Sequence, residues 1–534
     1  MNPEKDYTHR TWLAAVALLA VLGGVSLIPP CTVGGVALRR ANILSDLVRF
    51  EEAAVESPSQ VVLDEEEFRV DLTDIAAQIE AADTLVRERE VRTTFEWRAG
   101  TPDSSLMACA APVPEVRERI EAEYEAQSVV PVEDFDTTGR SPLHALYAKL
   151  LDGRDVRIAV LGDSFIEGDI LTADLRERLQ EHYGGCGAGF APMASPLANF
   201  RRTVKTQTRG WTPYNIMQYK TTPQALRDRY YVSGWVCQAA PGAQTRWECS
   251  DARQRLDPCL GARILFVSRG DSRAEVTLND TLRRVFDIEG DEALRQIAVS
   301  GIPIRSLAFR VAEGADGFIG YGALLEGPGV GVDNYSVRSN NGQAMFRTDP
   351  AINAQAGAML GYDLVVLQYG LNIMQQGIRN YDNYGAKVCR MIAYVRECFP
   401  RAAVLVLGVS DRSVRTDAGF EPMDALPFMT ACQRAAARSE CAAFWDTAAA
   451  MRALGGMERF VANGWAGKDY THINYGGGRQ VARALAAALH EGVRRAAERR
   501  EFERRLELMR MNVADSLGER MVRSALFTPP APIE

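Results

Sequence analysis

"VLGDSFIEGD", residues 160–169, decides how the chain is read. It starts inside the apolar run Val156–Leu161 and breaks into Gly162, Asp163 and Ser164. A short β-branched run without polar alternation is the pattern of a strand buried on both faces, as in a parallel sheet. The next segment, "LTADLRERLQEHYG" (171–184), carries Leu171, Leu175 and Leu179 on one stripe and predicts an amphipathic helix. Strand, tight turn and helix together open an α/β sandwich. In such a fold the turn lies at the carboxyl edge of the sheet, where ligands bind, and the helix start aims backbone N–H groups at that edge. Ser164 would there be placed to react. Taken alone, the triplet also reads as a helix cap by Asp163 or Ser164.

Bulk properties narrow the function classes. The chain has 534 residues, enough for several domains, with 47% hydrophobic and 24% charged residues, so a large core can form. Net charge is −8 and no long basic run occurs, which argues against a nucleic-acid partner. The five histidines make a His-rich metal site improbable, and none of the ten cysteines falls in a paired zinc-type spacing. Cys237, Cys249 and Cys259 are close enough in sequence to form a local disulfide in an oxidising compartment. "TWLAAVALLAVLGGVSLI" (11–28) is uncharged and long enough to span a bilayer. No clear cleavage site follows, so an uncleaved anchor is expected over residues 1–30.

Residues 31–139 read as an acidic stalk or linker with short helices. The α/β rhythm starts at 140, where "PLHALYAKLLDGRD" (142–155) has helical apolar spacing. From 201 to 335 short alternating segments separated by Gly, Asp and Asn turns predict an inserted β-sandwich, with "DEALRQ" (291–296) as its one short helix. "GGCGAGF" (184–190) and "EGPGVGVDNY" (326–335) lack the context of a phosphate loop and read as turns. Trp211, Trp235 and Trp247 with Tyr214, Tyr219, Tyr230 and Tyr231 fit core packing, with sugar stacking as the alternative. From 336 to 490 strands and helices alternate again, and 491–534 reads as a charged helix and tail.

A serine nucleophile needs a base. His9 precedes the apolar stretch, and His144, His182 and His490 fall on predicted helices in ordinary surface sequence. His472 differs. "KDYTHINYGGG" (468–478) puts Asp469 three residues earlier, so both side chains can project from one face of a turn. Asp469 can then hold the ring while its other nitrogen takes the serine proton; loop residues capping the last helix would look the same. Acyl transfer also needs oxyanion donors. "LQYGLN" (367–372) ends a predicted strand with Asn372, and "VRSNNGQA" (337–344) places Gly342 in a turn where its N–H can approach a substrate.

"GDSFIEGD", the Gly342 turn, "GLN" (370–372) and "DYTH" (469–472) resemble, in order, blocks I, II, III and V of the SGNH/GDSL hydrolases. The resemblance implies an SGNH-type α/β/α sandwich with a parallel sheet. It implies Ser164 as nucleophile, His472 as general base, Asp469 as its orienting partner, and an oxyanion hole from the Ser164 N–H, the Gly342 N–H and the Asn372 side chain. No metal or organic cofactor is implied. Ile373 stands where block III often has Asp, and position 166 is Ile, which argues against the Gly-x-Ser-x-Gly turn of α/β-hydrolases. An anchored SGNH domain with an inserted, carbohydrate-binding-like β module is similar in layout to bacterial cell-envelope carbohydrate O-acetylesterases, peptidoglycan ones included. That layout implies an esterase removing O-acetyl groups from an envelope glycan, anchored in the inner membrane with its bulk in the periplasm. One rival is an O-acetyltransferase working with a membrane-bound O-acyltransferase. Another is a non-catalytic glycan-binding scaffold.

Overall fold

The computed structural model describes residues 92–101, 110–139, 141–250, 259–417 and 419–526, with residues 31–33, 36–38, 77, 79, 80 and 108. The apolar stretch 11–28 and the tail 527–534 lie outside the described residues, and among the described residues no helix is long and apolar enough to cross a membrane. The chain forms two compact units. In the first, Met1–Asp64, Cys31–Val33 pairs with Val36–Leu38 in an antiparallel hairpin. All that follows concerns the second, Glu65–Glu534.

The strands of its central sheet are β1 (Glu133–Asp134), β2 (Val156–Gly162), β3 (Val330–Ser336), β4 (Leu364–Gln368), β5 (Ala403–Leu407) and β6 (Ala443–Trp445), in the spatial order β3-β2-β4-β5-β6-β1. All pairs are parallel except β6 with β1. Every residue of β2, β4, β5 and β6 is buried, as expected of strands covered by helices on both faces. The covering helices are α1 (Pro142–Leu151), α2 (Thr172–Tyr183), α3 (Pro350–Leu360), α4 (Asp382–Cys398), α5 (Leu426–Ser439) and α6 (Tyr475–Leu526). Their starts follow local chemistry. Ser141 accepts from the Leu143 N–H ahead of Pro142, and Asp349 accepts from Ala351 and Ile352 ahead of Pro350.

The second sheet is a ten-stranded array. Its long strand Trp235–Cys249 pairs with Ser306–Glu313 through residues 244–248 and with Phe318–Glu326 through residues 237–238, so it passes from one layer to the other. Phe95 and Phe266 from one layer meet Phe286 and Phe309 from the other, and their rings fill the sandwich core. Glu326 joins the sandwich to the central sheet, binding Arg157 of β2 and, at 2.6 Å, Arg263. A buried hydroxyl chain does the same, from Tyr231 to Tyr335 (2.8 Å), Tyr362 (2.5 Å) and the Asp333 carboxylate (3.0 Å).

Several expectations need correction. The sandwich is not confined to 201–335. Gly189–Pro192 pairs into it, and Thr94–Arg98 joins parallel to Asp291–Ile304. The expected stalk 31–139 thus contributes a strand. It also contributes β1 and the helix Pro114–Glu125, which buries Ile120 and Tyr124. "DEALRQ" opens the strand Asp291–Ile304 instead of a helix, because Ala293, Leu294 and Gln296 are needed in the buried sheet. "EGPGVGVDNY" is a turn only at Gly327–Gly329; Val330 and Val332 then enter β3. Cys237, Cys249 and Cys259 are all free. Each is held in the apolar sandwich core, and the Cys237 thiol faces the Ala194 carbonyl at 3.5 Å. For most of the aromatic group the core-packing expectation holds: Trp247, Tyr230 and Tyr231 are fully buried, and Trp211 and Trp235 nearly so, while Tyr214 and Tyr219 are half-buried. His182 and His490 are not surface residues either. They pack on each other and on Tyr124 and Tyr183, and burial lowers the His182 pKa to about 3.

Candidate active site

Ser164 follows β2 by one residue beyond Asp163 and is half-buried. The N–H of Phe165 donates to the Asp163 carboxylate at 2.9 Å, closing the turn. Thus Asp163 does cap this turn, and in doing so fixes the serine's place. At the neighbouring strand end, the Val337 N–H donates to the Gly162 carbonyl at 3.0 Å, aligning β3 with the same edge. Downstream, Asp169 sits in left-handed backbone and binds Arg176 (3.0 Å), Thr203 (2.7 Å) and Thr172. Burial alone would raise its pKa, but Arg176 and Arg201 hold the carboxyl well below the usual range.

Gly342 follows β3 with φ +93°, a conformation that favours glycine. A Cβ there would run into Met391 and Tyr369. Asn372 follows β4 across the Gly370 turn. Asp469 and His472 lie in the loop before α6, and the His472 Nδ1 is 2.6 Å from the Asp469 Oδ2. Asp469 Oδ1 also accepts the backbone N–H groups of Thr471 and His472, each at 3.1 Å. Burial would raise the Asp469 pKa, but these bonds to His472 and Thr471 lower it. The carboxylate takes the Nδ1–H, so Nε2 is left as the basic nitrogen.

Asp163 and Asn340 tie the Ser164 turn, Gly342 and Asn372 together at the ends of β2, β3 and β4, and the loop of Asp469 and His472 meets the segment after Ser164 through the Tyr475 hydroxyl, 2.9 Å from the Gly168 carbonyl. Burial raises the Asp163 pKa to about 7, against the hydrogen bond from the Phe165 N–H, which lowers it. No hydrogen bond joins Ser164 to His472 among the described residues. Such bonds are often long before substrate binds.

Two expected oxyanion donors are engaged. The Asn372 Nδ2 donates to the Asp163 Oδ2 at 2.9 Å and to the Asn340 carbonyl at 3.0 Å. The Gly342 N–H donates to the Asn340 Oδ1 at 2.8 Å. Buried donors are normally satisfied within the fold, so an oxyanion would have to share or displace these bonds. Asp163 and Asn340 are therefore site residues that sequence reasoning missed as such. The available signal was an Asn two residues before the Gly342 turn, the spacing of an Asx turn.

A search of protein-family models finds no match, and no curated protein matches. Solved structures do. A peptidoglycan O-acetylesterase is similar over 68% of this chain and 99% of its own, at 20% identity and a TM-score of 0.56. This chain shares the fold of that structure. An acetyl xylan esterase (16% identity, TM-score 0.24, 30% of this chain and 81% of its own) superposes only in part. So does a family two carbohydrate esterase from Clostridium thermocellum (10% identity, TM-score 0.21, 48% and 94%).

Proposed function

We propose that this protein is a serine esterase that removes short acyl groups, acetyl in the simplest case, from a cell-envelope polysaccharide. The observation that carries the reading is the Asp469–His472 hydrogen bond, on a loop whose Tyr475 hydroxyl meets the Gly168 carbonyl of the segment that follows Ser164. Ser164 attacks the ester carbonyl while His472 Nε2 takes its proton. Negative charge develops on the carbonyl oxygen, and the Ser164 and Gly342 N–H groups and the Asn372 amide are the donors for it. The tetrahedral intermediate collapses to an acyl-serine, and the alcohol leaves with the proton from His472. Water then attacks with the same base, and acetate leaves. All of these groups belong to the chain itself.

The glycan substrate is the part of the proposal furthest from the residues. The shared fold and the β-sandwich packed on the catalytic sheet support it. An anchor over residues 1–30 is proposed from the apolar sequence alone, and the periplasmic location of the bulk from the layout resemblance. The test is acetate release from 4-nitrophenyl acetate and from acetylated glycans by wild type and Ser164→Ala. Equal rates would overturn the reading. Acetate transfer to an added oligosaccharide, exceeding hydrolysis, would make the protein a transferase.

A further inference from the structure

Of the aromatics that the sequence offered for sugar stacking, Trp211, Trp235, Trp247, Tyr230 and Tyr231 are buried in the core, and Tyr214 and Tyr219 are half-buried against it. A different ring is exposed beside the catalytic turn. Phe200 is 43% exposed. It rests against Gly168, where a Cβ would run into the ring, and the Tyr475 ring lies 6.0 Å away at 38°. Tyr475, three residues past His472, ties this lip to the catalytic loop. Its single O–H is shared between the carbonyls of Gly168 (2.9 Å) and Phe200 (2.6 Å).

Next to the lip is a cleft of about 60 Å³, lined by Glu167, Ser195, Leu197, Ala198, Trp235 and Ser336 among others. That volume holds a few water-sized groups, so it suits one substituent rather than a whole sugar ring. Glu167 is buried, with 3% of its surface exposed. Its Oε2 accepts from Arg338 Nε at 2.9 Å and Nη2 at 2.5 Å. Its Oε1 is buried without a partner. A buried carboxylate oxygen without a donor is costly, and a ligand hydroxyl or amide N–H would satisfy it.

We infer that Phe200 and Glu167 form a subsite for a neutral sugar unit adjoining the acylated one. The ring's C–H face stacks on Phe200, and one hydroxyl or amide arm enters the cleft and donates to Glu167 Oε1. The choice of a saccharide rests on the esterase reading; the ring and the open acceptor do not. Arg338 holds its own acceptor, so in Glu167→Gln the amide oxygen stays on Arg338 and an NH2 replaces the open oxygen. The site then offers a donor where the ligand also brings one.

The test is isothermal titration of the full-length Ser164→Ala chain with tri-N-acetylchitotriose and with xylotriose. At least one should bind. Phe200→Ala and Glu167→Gln, each added to Ser164→Ala, should each raise Kd about tenfold, and Phe200→Tyr should keep the affinity. Phe200 is exposed, so its loss leaves the fold intact. Binding of neither trisaccharide, or binding indifferent to either substitution, overturns the subsite. Turnover of 4-nitrophenyl acetate by the Ser164 chain is read separately. Turnover without trisaccharide binding removes the subsite and keeps the esterase; binding without turnover does the reverse.

Discussion

The Asp469 carboxylate and the His472 imidazole face each other at 2.6 Å across a loop whose backbone N–H groups also point at the same carboxylate. Both side chains are about half exposed, at 49% and 57%. Solvent is therefore available to reorient the ring if the carboxylate is lost. Asp469→Asn keeps the shape and removes the charge, so the ring loses its fixed tautomer. We expect kcat for 4-nitrophenyl acetate to fall by about 10³–10⁴-fold with little change in KM. Initial-rate kinetics on the purified variant check this, and a loss below threefold would mean that the pair does not act on the serine.

What was legible in the sequence was local. "VRIAVLGDS" is a buried run followed by a break, and Asp469 and His472 are three residues apart, so one turn brings them together. What was not legible depended on distant pairing. Val330–Ser336 reads as glycine-rich turn, yet it lies parallel to Val156–Gly162, more than 150 residues upstream. Thr94–Arg98 has no alternation strong enough to mark it, and it becomes a strand because Asp291–Ile304 offers an edge. "DEALRQ" has helical composition, and tertiary burial overrode it. The position of Asn372 was readable from its turn, but its acceptors, Asp163 and the Asn340 carbonyl, come from two other strand ends.

Asp163 makes stability fall with rising pH. Burial raises its pKa to about 7, above the ordinary carboxylate value. Between about pH 4 and pH 7 the folded protein therefore keeps a proton that the unfolded chain has released. Stability from this group is present at low pH and is lost as pH rises through that window, by up to about 1.4 kcal/mol per pH unit. Asp163→Asn should flatten the stability–pH curve there, measured by urea unfolding at pH 4.5, 6 and 7.5. The same variant should lower kcat, because Asn372 loses its carboxylate acceptor.

Asp169 works in the opposite sense. Its pKa lies below the ordinary value, so its contribution is present above about pH 4 and is lost as pH falls through the folded pKa. Asp169→Asn leaves Arg176 and Arg201 buried beside a neutral group. Breaking such a pair costs about 3–5 kcal/mol. The variant should unfold at clearly lower urea at pH 7, and the difference from wild type should narrow toward pH 3. An unchanged midpoint at pH 7 would show that the cluster does not hold the catalytic turn.

The loop that carries the proposed base, His472, gives a further test. Tyr470, between Asp469 and His472, has φ +53°, a backbone state that is strained for a non-glycine residue. Its own N–H donates to the Gly467 carbonyl at 3.1 Å, and two contacts from another element hold it there. The Ser413 N–H donates to the Tyr470 carbonyl at 3.1 Å, and the Phe420 ring stacks on the Tyr470 ring at 3.6 Å and 10°. Ser413 and Phe420 belong to a two-stranded hairpin, Ser413–Thr416 with Gly419–Pro422, that lies outside both large sheets. An aromatic pair adds about 0.5–1.5 kcal/mol beyond its area, comparable to the strain that it opposes. Phe420→Ala should therefore let Tyr470 relax and carry His472 off its position. We expect kcat to drop about three- to tenfold, with the urea midpoint of the whole domain nearly unchanged, since the hairpin contributes little to either core. Phe420→Tyr should restore the rate. Equal loss in Ala and Tyr variants would mean that the hairpin acts on the substrate and not through the Tyr470 stack.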